Sequence, residues 1–408
     1  MSNWGAMAGS AGSAGSAGSA GSAGSAGSAG SAGSAGSAGS ASPIVCLDGP
    51  VGLPGYSGQI SNPMLARSLI EDRELLLSGA ASLFDEGPGD PSFPVWPVGA
   101  GGLPPAQTPT TLQRLQANVR AVLAEQELLQ GISIVGMPSA TRKIRLQLDA
   151  PVIPIVTLEA PPLDVFIKQL KLVDAFSDLR SERTEDILSQ VVPQSAHWSA
   201  IAGLTPERHR YTYEVLGIGL RFAMMQVMRF KHALECPRPI DLSRRIQPMI
   251  LTPGYSAFPS GHSTEAHFLA ELLTALMSDA GRPDAKEPGA GGKQRSLQAQ
   301  LNRLAHRVAE NRVVAGLHYP LDSLAGQVLG VSLAHYVAWA CNAAGWEKVG
   351  GEFPVITDAT PLEDLLPKMD LVLDPACMVL PGQTLLPGNP NRTVLSQMWT
   401  LAVAECRI

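Results

Sequence analysis

The stretch Ser256–Ala270, SAFPSGHSTEAHFLA, decides how this chain is interpreted. It predicts a turn that leads directly into a helix, with Ser260 at the N-cap and Gly261 permitting a close approach of the backbone. A helix N-terminus carries unpaired N–H groups and partial positive charge, so it favours an anion. His262, on the first turn, is then a candidate proton donor. A serine at a helix start is also an ordinary cap, so the neighbouring motifs must decide between these interpretations.

Residues 1–42 are not expected to belong to the fold. From Ala8 to Ser40 the chain repeats Ala-Gly-Ser, which is typical of a flexible linker or tag. This segment hides the native N-terminus and any signal peptide, so the choice between a cytoplasmic and a periplasmic protein is left open. Residues 43–408 are long enough for one large helical domain or two smaller ones.

Composition excludes several classes of protein. Charged residues make up 16% of the chain and the net charge is −6, which argues against a nucleic-acid-binding surface. The most apolar run, residues 323–344, is just long enough to span a bilayer, but it contains Gln327, His335 and Asn342. Because an integral membrane protein would show several such runs, we expect a buried helix and no membrane span. The five dispersed cysteines predict reduced thiols.

Apolar residues at helical spacing dominate the chain and predict an all-α bundle. A cap followed by proline predicts helix starts at Asn62–Pro63, Thr108–Pro109 and Thr205–Pro206. The second of these helices is expected to bury Leu112, Leu115, Val119, Val122 and Leu123. The third is expected to be the longest, ending near Leu234. Further helices are predicted over residues 163–179, 184–192, 262–279 and 296–315, with an extended segment over 152–158, a loop over 280–292 and a last apolar stretch over 394–403.

Three short motifs follow one another between residues 231 and 322. They are K-x6-R-P (Lys231, Arg238), P-S-G-H (residues 259–262) and R-x5-H-x3-D (Arg312, His318, Asp322). Together they provide an ammonium group, two guanidinium groups, a helix N-terminus and two imidazoles. Guanidinium groups bind tetrahedral oxyanions through paired hydrogen bonds, and lysine adds a point charge. The set is therefore suited to bind an oxyanion.

His318 and Asp322 are one helical turn apart. The carboxylate can bind the proton of one ring nitrogen and leave the other nitrogen as a lone pair directed at the anion, which suits a nucleophile or a metal ligand equally. Each motif residue also has a structural explanation: Lys231 as a solvated cation near a helix end, Arg238 in a turn, Arg312 with His318 as a helix-end pair, and Asp322 as an N-cap. One anion site accounts for all of them together, whereas His267 and His306 are interpreted as structural.

In this order and at this spacing, the motifs resemble the signature of the superfamily that joins type-2 phosphatidic acid phosphatases (PAP2) with vanadium-dependent haloperoxidases. The resemblance covers Lys231 to Asp322. Asn311 stands where the family usually has serine before the arginine, and asparagine can still donate and accept hydrogen bonds. The resemblance implies an all-α helical bundle of the haloperoxidase/PAP2 acid phosphatase type, formed by residues 43–408 as a single domain.

The resemblance also implies roles for the motif residues. Those that would hold the oxygens of vanadate or phosphate are Lys231, Arg238, Ser260, Gly261 and Arg312. In haloperoxidases the residue matching His318 binds vanadium, and the one matching His262 is the acid/base that helps peroxide bind. In phosphatases the His318 equivalent attacks phosphorus, the His262 equivalent protonates the leaving group, and the Asp322 equivalent orients the nucleophile.

The motifs do not separate the two activities, because vanadate and phosphate share shape and charge. Lipid phosphatases of this superfamily are polytopic membrane proteins, and its secreted acid phosphatases have little chain before the first motif. The long helical segment over residues 43–230 resembles the soluble bacterial haloperoxidases. We therefore expect a vanadate-dependent enzyme that uses hydrogen peroxide and a halide. A phosphomonoesterase with a phosphohistidine intermediate is the alternative, followed by a non-catalytic oxyanion-binding protein; homo-oligomerisation, the halide and the organic acceptor are left open.

Overall fold

A computed structural model of the chain describes residues 109–136, 142–191, 195–285, 296–346, 348–349, 351–353, 384–385 and 392–407. These residues are mostly helical, as predicted, but they also form a small four-stranded sheet. The prediction of a strict all-α bundle is therefore corrected. The linker, the helix predicted from Asn62, most of the 280–292 loop, Cys46 and Cys377 lie outside the described residues, and the single-domain assignment stays a prediction.

The helices are numbered in chain order. They are α1 (Pro109–Arg114), α2 (Ala117–Leu129), α3 (Leu163–Phe176), α4 (Arg180–Ser189), α5 (Ser195–Ala202), α6 (Arg210–Leu234), α7 (Pro239–Leu242), α8 (Gly261–Asp279), α9 (Leu297–Val314), α10 (Pro320–Ala340) and α11 (Thr393–Cys406). The strands are β1 (Ile132–Gly136), β2 (Lys143–Asp149), β3 (Val152–Glu159), β4 (Lys348–Val349), β5 (Gly351–Glu352) and β6 (Thr384–Leu385).

The larger sheet has the strand order β1-β2-β3-β5, and β4 pairs with β6 separately. Strands β1 to β3 are antiparallel, with Ile134 opposite Leu146 and Leu146 opposite Val156, while β5 runs parallel to β3. Leu146 and Leu148 of β2 are buried between more exposed polar neighbours, as the two-residue period of a strand requires. The extended segment predicted over residues 152–158 is therefore confirmed as β3.

Helices α8 and α10 cross at close range in the centre of the core. A Cβ atom added to Gly326 would lie 2.6 Å from the carbonyl oxygen of Ser260, and one added to Gly330 would collide with the carbonyl oxygen of Thr264. Glycine permits this approach because it has no side chain to separate the two backbones. The crossing places the start of α8 against the start of α10, where the Ser260 N–H donates to the Asp322 carbonyl oxygen at 2.8 Å.

Helix α6 begins later than predicted. Thr205–Pro206 forms a turn, and the helix starts at Arg210. The start is set by Glu405 of α11, whose carboxylate accepts hydrogen bonds from the N–H groups of Tyr211 and Thr212 at 2.9 and 2.8 Å. A carboxylate at this end satisfies unpaired N–H groups and opposes their partial positive charge. The other end, at Leu234, is as predicted.

The buried face of α2 also differs from the prediction. Its inward side carries Arg120 and small residues such as Ala121 and Ala124, whereas three residues of the predicted face are exposed, namely Val119, Val122 and Leu123. Arg120 is fully buried and pairs with Glu214 of α6, with its Nε 2.7 Å from Oε2. The small residues and this ion pair allow α2 to pack with its less apolar side inward, so the apolar period alone indicates the wrong face.

The remaining helix predictions are confirmed to within a few residues, including those of α3, α4, α8 and α9. Helix α10 is buried along nearly its whole length, as expected for the most apolar run. None of the helices in the described ranges is long and apolar enough to cross a membrane. Cys236, Cys341 and Cys406 are free and buried.

Candidate active site

The first motif supplies two buried cations from the end of α6 and the start of α7. Lys231 is 2% exposed, and its Nζ donates to the carbonyl oxygens of Ser256 and Ala257 at 2.7 and 3.0 Å. Arg238 is 3% exposed, and its Nη2 lies 3.3 Å from the same Ser256 oxygen. The chain just before α8 thus holds both cations, and the alternative explanation of Lys231 as a solvated cation does not apply.

The second motif forms the N-terminus of α8 as predicted. Ser260 is the N-cap, and its Oγ accepts from the Ser263 N–H at 3.4 Å. The N–H groups of Gly261 and His262 belong to the first turn, where a helix has no internal acceptors. The His262 ring is hydrogen-bonded to the main chain of Gln190, while its enclosed Nε2 has no partner among the described residues. The helix therefore presents N–H groups and one unpartnered imidazole nitrogen.

The third motif places Arg312 at the end of α9, fully buried against the end of α4. Its Nη2 donates to the Ile187 carbonyl oxygen at 2.9 Å and lies 3.5 Å from Gln190 Oε1. Its Nε and Nη1 are buried and have no hydrogen-bond partner in the described part of the chain. The preceding Asn311 donates to Gln190 Oε1 at 2.8 Å, so the residue that departs from the family pattern still makes a hydrogen bond behind the arginine.

His318 is held from both ring nitrogens. Its Nδ1 lies 2.9 Å from Asp322 Oδ2, and its Nε2 lies 3.3 Å from Arg238 Nη1. Since a guanidinium group can only donate, Nε2 must be the acceptor, and Nδ1 carries the proton bound by Asp322. Asp322 also accepts from the Tyr319 N–H at 3.0 Å, so it caps α10 and orients the imidazole at the same time. Both explanations of Asp322 offered by the sequence hold together.

The three cations are not neutralised by salt bridges within the described residues. Lys231, Arg238 and Arg312 donate to carbonyl oxygens and to neutral side chains, in contrast to Arg120, which pairs with Glu214. Burial lowers the pKa of all three groups, that of Arg312 to about 10, and the charge of Arg238 lowers the pKa of Lys231 further. Buried charge without a salt-bridge partner is costly, so a bound anion would stabilise this cluster.

Both site histidines are neutral in this surrounding. Burial is the main reason that the pKa of His262 lies well below its ordinary value, and the charges of Arg312 and Lys231 add to it. Desolvation is therefore the larger cause, and the neighbouring charges are the smaller one. Burial likewise lowers the pKa of His318 and raises that of Asp322. The neutral ring of His318 keeps its proton on Nδ1, where Asp322 Oδ2 accepts it.

The sequence did not indicate three residues that contact or border this cluster. Gln190 gives no local signal, because it lies 122 residues before Arg312. The Tyr255 ring faces two cations, with its centroid 5.2 Å from Lys231 Nζ and 5.3 Å from Arg238 Cζ. Glu265, one turn after His262, is 5% exposed with an unpartnered Oε2, and burial raises its pKa well above the ordinary value. A carboxyl group one turn after His262 on the predicted helix was a local signal for Glu265.

All the residues predicted from the motifs thus meet at one place, where α6, α7, α8, α9 and α10 each contribute an end. Residues 211–346 match the family model described as the PAP2 superfamily. This segment includes the complete run from Lys231 to Asp322 and confirms the resemblance drawn from the motifs. A comparison with curated proteins found no match for the chain.

Proposed function

We propose that this chain, whose residues 211–346 form a PAP2 superfamily domain, is a vanadium-dependent haloperoxidase. The reaction would oxidise a halide to the hypohalous acid and reduce hydrogen peroxide to water, consuming one proton. Three unneutralised cations and the first turn of α8 support the binding of vanadate, and Arg312 Nε and Nη1 are buried donors that still need an acceptor. Bound there, vanadate would supply the electrophilic centre at which peroxide becomes reactive toward halide.

The observation that we offer in support of a peroxidase is the enclosed Nε2 of His262, which has no hydrogen-bond partner among the described residues. A neutral imidazole with an unpartnered Nε2 is ready to accept a proton, as deprotonation of incoming hydrogen peroxide requires. A phosphomonoesterase needs the opposite state at first, an imidazolium that protonates the leaving group. The burial of the cations also favours small reactants over an ester with a bulky leaving group.

The other residues of the site would bind the oxyanion or orient its ligand. Lys231, Arg238 and Arg312 compensate the negative charge of the oxyanion, and Ser260 and Gly261 lie where α8 presents N–H donors. His318 offers the Nε2 lone pair as the metal ligand, in exchange for its contact with Arg238. Asp322 keeps the proton on Nδ1 and so preserves that lone pair.

A phosphomonoesterase remains the second candidate because the His318–Asp322 pair suits a nucleophile equally well. An imidazole with its Nδ1 proton bound by a carboxylate can attack phosphorus through Nε2. The same cations would bind the phosphate oxygens. The two functions therefore share a site and differ in the first role of His262.

Two assays on one purified sample distinguish the haloperoxidase from the phosphomonoesterase. We expect the chain to brominate a phenolic acceptor when orthovanadate, hydrogen peroxide and bromide are present, because vanadate is the reactive cofactor. The His318→Ala variant should lose this turnover, and Asp322→Asn should reduce it by about 10- to 100-fold. Release of phosphate from an aryl ester without vanadate, together with no bromination, would favour the phosphatase instead.

A histidine outside the site provides the matched control. The ring of His306 on α9 packs against that of His267 at a centroid distance of 5.0 Å. His306→Ala should therefore retain bromination. If His318→Ala retained it as well, the assignment of the ligand would be wrong.

A further inference from the structure

The residue after the last turn of α4 connects two parts of the candidate site. Gln190 is 2% exposed, and its Oε1 accepts from Asn311 Nδ2 at 2.8 Å and lies 3.5 Å from Arg312 Nη2. Its main chain is hydrogen-bonded to the ring of His262. One residue from outside the three motifs thus contacts an anion-binding arginine and the candidate acid/base.

The acceptor that Gln190 offers to Arg312 is neutral. The fully buried Arg120 shows the alternative, because Glu214 binds it through two carboxylate oxygens at 2.7 and 2.5 Å. A carboxylate satisfies the charge of a guanidinium group as well as its N–H donors. An amide oxygen holds the group in place and leaves its charge uncompensated. Arg312 therefore keeps its charge, together with unpartnered Nε and Nη1, for a ligand.

Helix α4 is tied to α9 along its length, which fixes the position of Gln190. Arg180 Nε donates to the Val314 carbonyl oxygen at 3.0 Å, and Arg183 Nη1 lies 3.0 Å from Glu310 Oε2. Arg307 of α9 also pairs with Asp186 at 2.7 Å, but these side chains are 42% and 38% exposed, so solvent screens the pair and it adds little to the attachment. These contacts leave the end of α4 little freedom to move away from Arg312.

We propose that Gln190 is a positioning residue of the oxyanion site, holding Arg312 through a neutral side chain and His262 through its main chain. Its neutrality keeps the positive charge of Arg312 available to the bound oxyanion. The inference rests on the proposed function in so far as both require an oxyanion in this pocket. It does not depend on whether that oxyanion is vanadate or phosphate.

Two substitutions separate a role in charge from a role in packing. Gln190→Glu keeps the shape and can still accept from Asn311, but it places a carboxylate on Arg312. Gln190→Met keeps the length and removes the acceptor without adding charge. If Gln190 only fills space, glutamate should be the milder change. If it preserves the charge of Arg312, glutamate should be the more harmful one.

The experiment measures the dissociation constants of inorganic phosphate and of orthovanadate by calorimetry at pH 8, with thermal unfolding as a check of the fold. We expect Gln190→Met to weaken binding about 10-fold and Gln190→Glu about 100-fold, the range observed for residues that orient a ligand-binding group. Asp186→Asn, which removes the ion pair with Arg307 on the same two helices, should leave both constants unchanged.

Every other outcome contradicts either the proposed role of Gln190 or the proposed function. If Gln190→Glu bound the anions as tightly as the unsubstituted protein, or more tightly than Gln190→Met, the proposed role of Gln190 would be wrong. The proposed anion site would not be affected. If Gln190→Glu does not fold, unchanged dissociation constants in Gln190→Met would likewise show that Gln190 does not position the site. A comparable loss in Asp186→Asn would make the effect one of helix packing. If the unsubstituted protein bound neither phosphate nor orthovanadate, both the proposed function and the inference about Gln190 would be wrong.

Discussion

At the scale of single residues, the site depends on which ring nitrogen of each histidine is engaged. His318 is held at Nδ1 by Asp322 and at Nε2 by Arg238. His262 is hydrogen-bonded to Gln190 and keeps an enclosed Nε2 without a partner in the described part of the chain. The first arrangement presents a fixed lone pair, and the second leaves a nitrogen able to exchange a proton. The two histidines are therefore expected to respond differently to substitution.

Replacement of His262 by alanine tests this division. Vanadate held by His318 and the cations should bind with only a modest loss of affinity, because His262 supplies none of the proposed ligands. Bromide oxidation should fall by about 10²- to 10⁴-fold, the usual contribution of a general acid–base residue. Vanadate titration and steady-state kinetics on the same variant give both values. Complete loss of vanadate binding would instead make His262 a binding residue.

At the scale of elements, the site is a meeting of helix ends and depends on how closely two helices cross. Ser260 at the start of α8 donates its N–H to Asp322 at the start of α10, so both motifs share one set of backbone contacts. The approach is permitted by Gly326, where an added Cβ would lie 2.6 Å from the Ser260 carbonyl oxygen. Helix packing and site geometry are therefore coupled at this crossing.

Gly326→Ala should consequently damage both stability and anion binding. A methyl group placed against backbone atoms forces the helices apart, and such overpacking typically costs about 1–3 kcal/mol of unfolding free energy. Urea denaturation and phosphate titration would measure the two effects. Gly136→Ala is the matched control, because an added Cβ there meets nothing within 4 Å. Normal phosphate affinity in Gly326→Ala would show that the crossing does not position the site.

At the scale of the whole molecule, the core contains histidines that must stay neutral. His267 of α8 is 3% exposed, and burial lowers its pKa to about 3 from an ordinary value of 6.5. Its Nδ1 lies 2.8 Å from the Ser263 carbonyl oxygen, which requires a proton on that nitrogen. Below pH 6.5 the unfolded chain binds a proton that the folded chain excludes. The stability associated with a neutral His267 is therefore complete above pH 6.5 and is lost as the pH falls toward the folded value.

The unfolding free energy should accordingly decrease between pH 6.5 and pH 4, with His267 contributing up to about 1.4 kcal/mol per pH unit. His267→Asn, whose amide can still donate to Ser263, should show a smaller decrease because it has no titrating ring. Urea denaturation of both proteins at several pH values gives the two slopes. Equal slopes would mean that other groups cause the acid sensitivity.

The sequence by itself determined the features that depend on local spacing. The end of α6 at Leu234, the cap at Ser260 and the buried helix α10 follow from caps, prolines and apolar patterning. The convergence of the three motifs was expected because a single anion site accounts for all of their residues. These signals are strong because a helix repeats every few residues and a motif fixes which side chains lie at its ends. The resemblance to the PAP2 superfamily was drawn from the three motifs, and the family model matches residues 211–346, which contain them.

Only the tertiary structure decided the features that depend on contacts between distant residues. β1 and β2 were missed because strands become stable by pairing, although Ile144, Leu146 and Leu148 alternate with polar residues in the sequence. The start of α6 required Glu405, and the face buried by α2 required Glu214 opposite Arg120. Gln190 beside Arg312, and the lack of a carboxylate on the site cations among the described residues, likewise appear only once the chain is folded. The physical reason is that desolvation and charge compensation depend on every neighbour in space, whereas a local pattern records only neighbours along the chain.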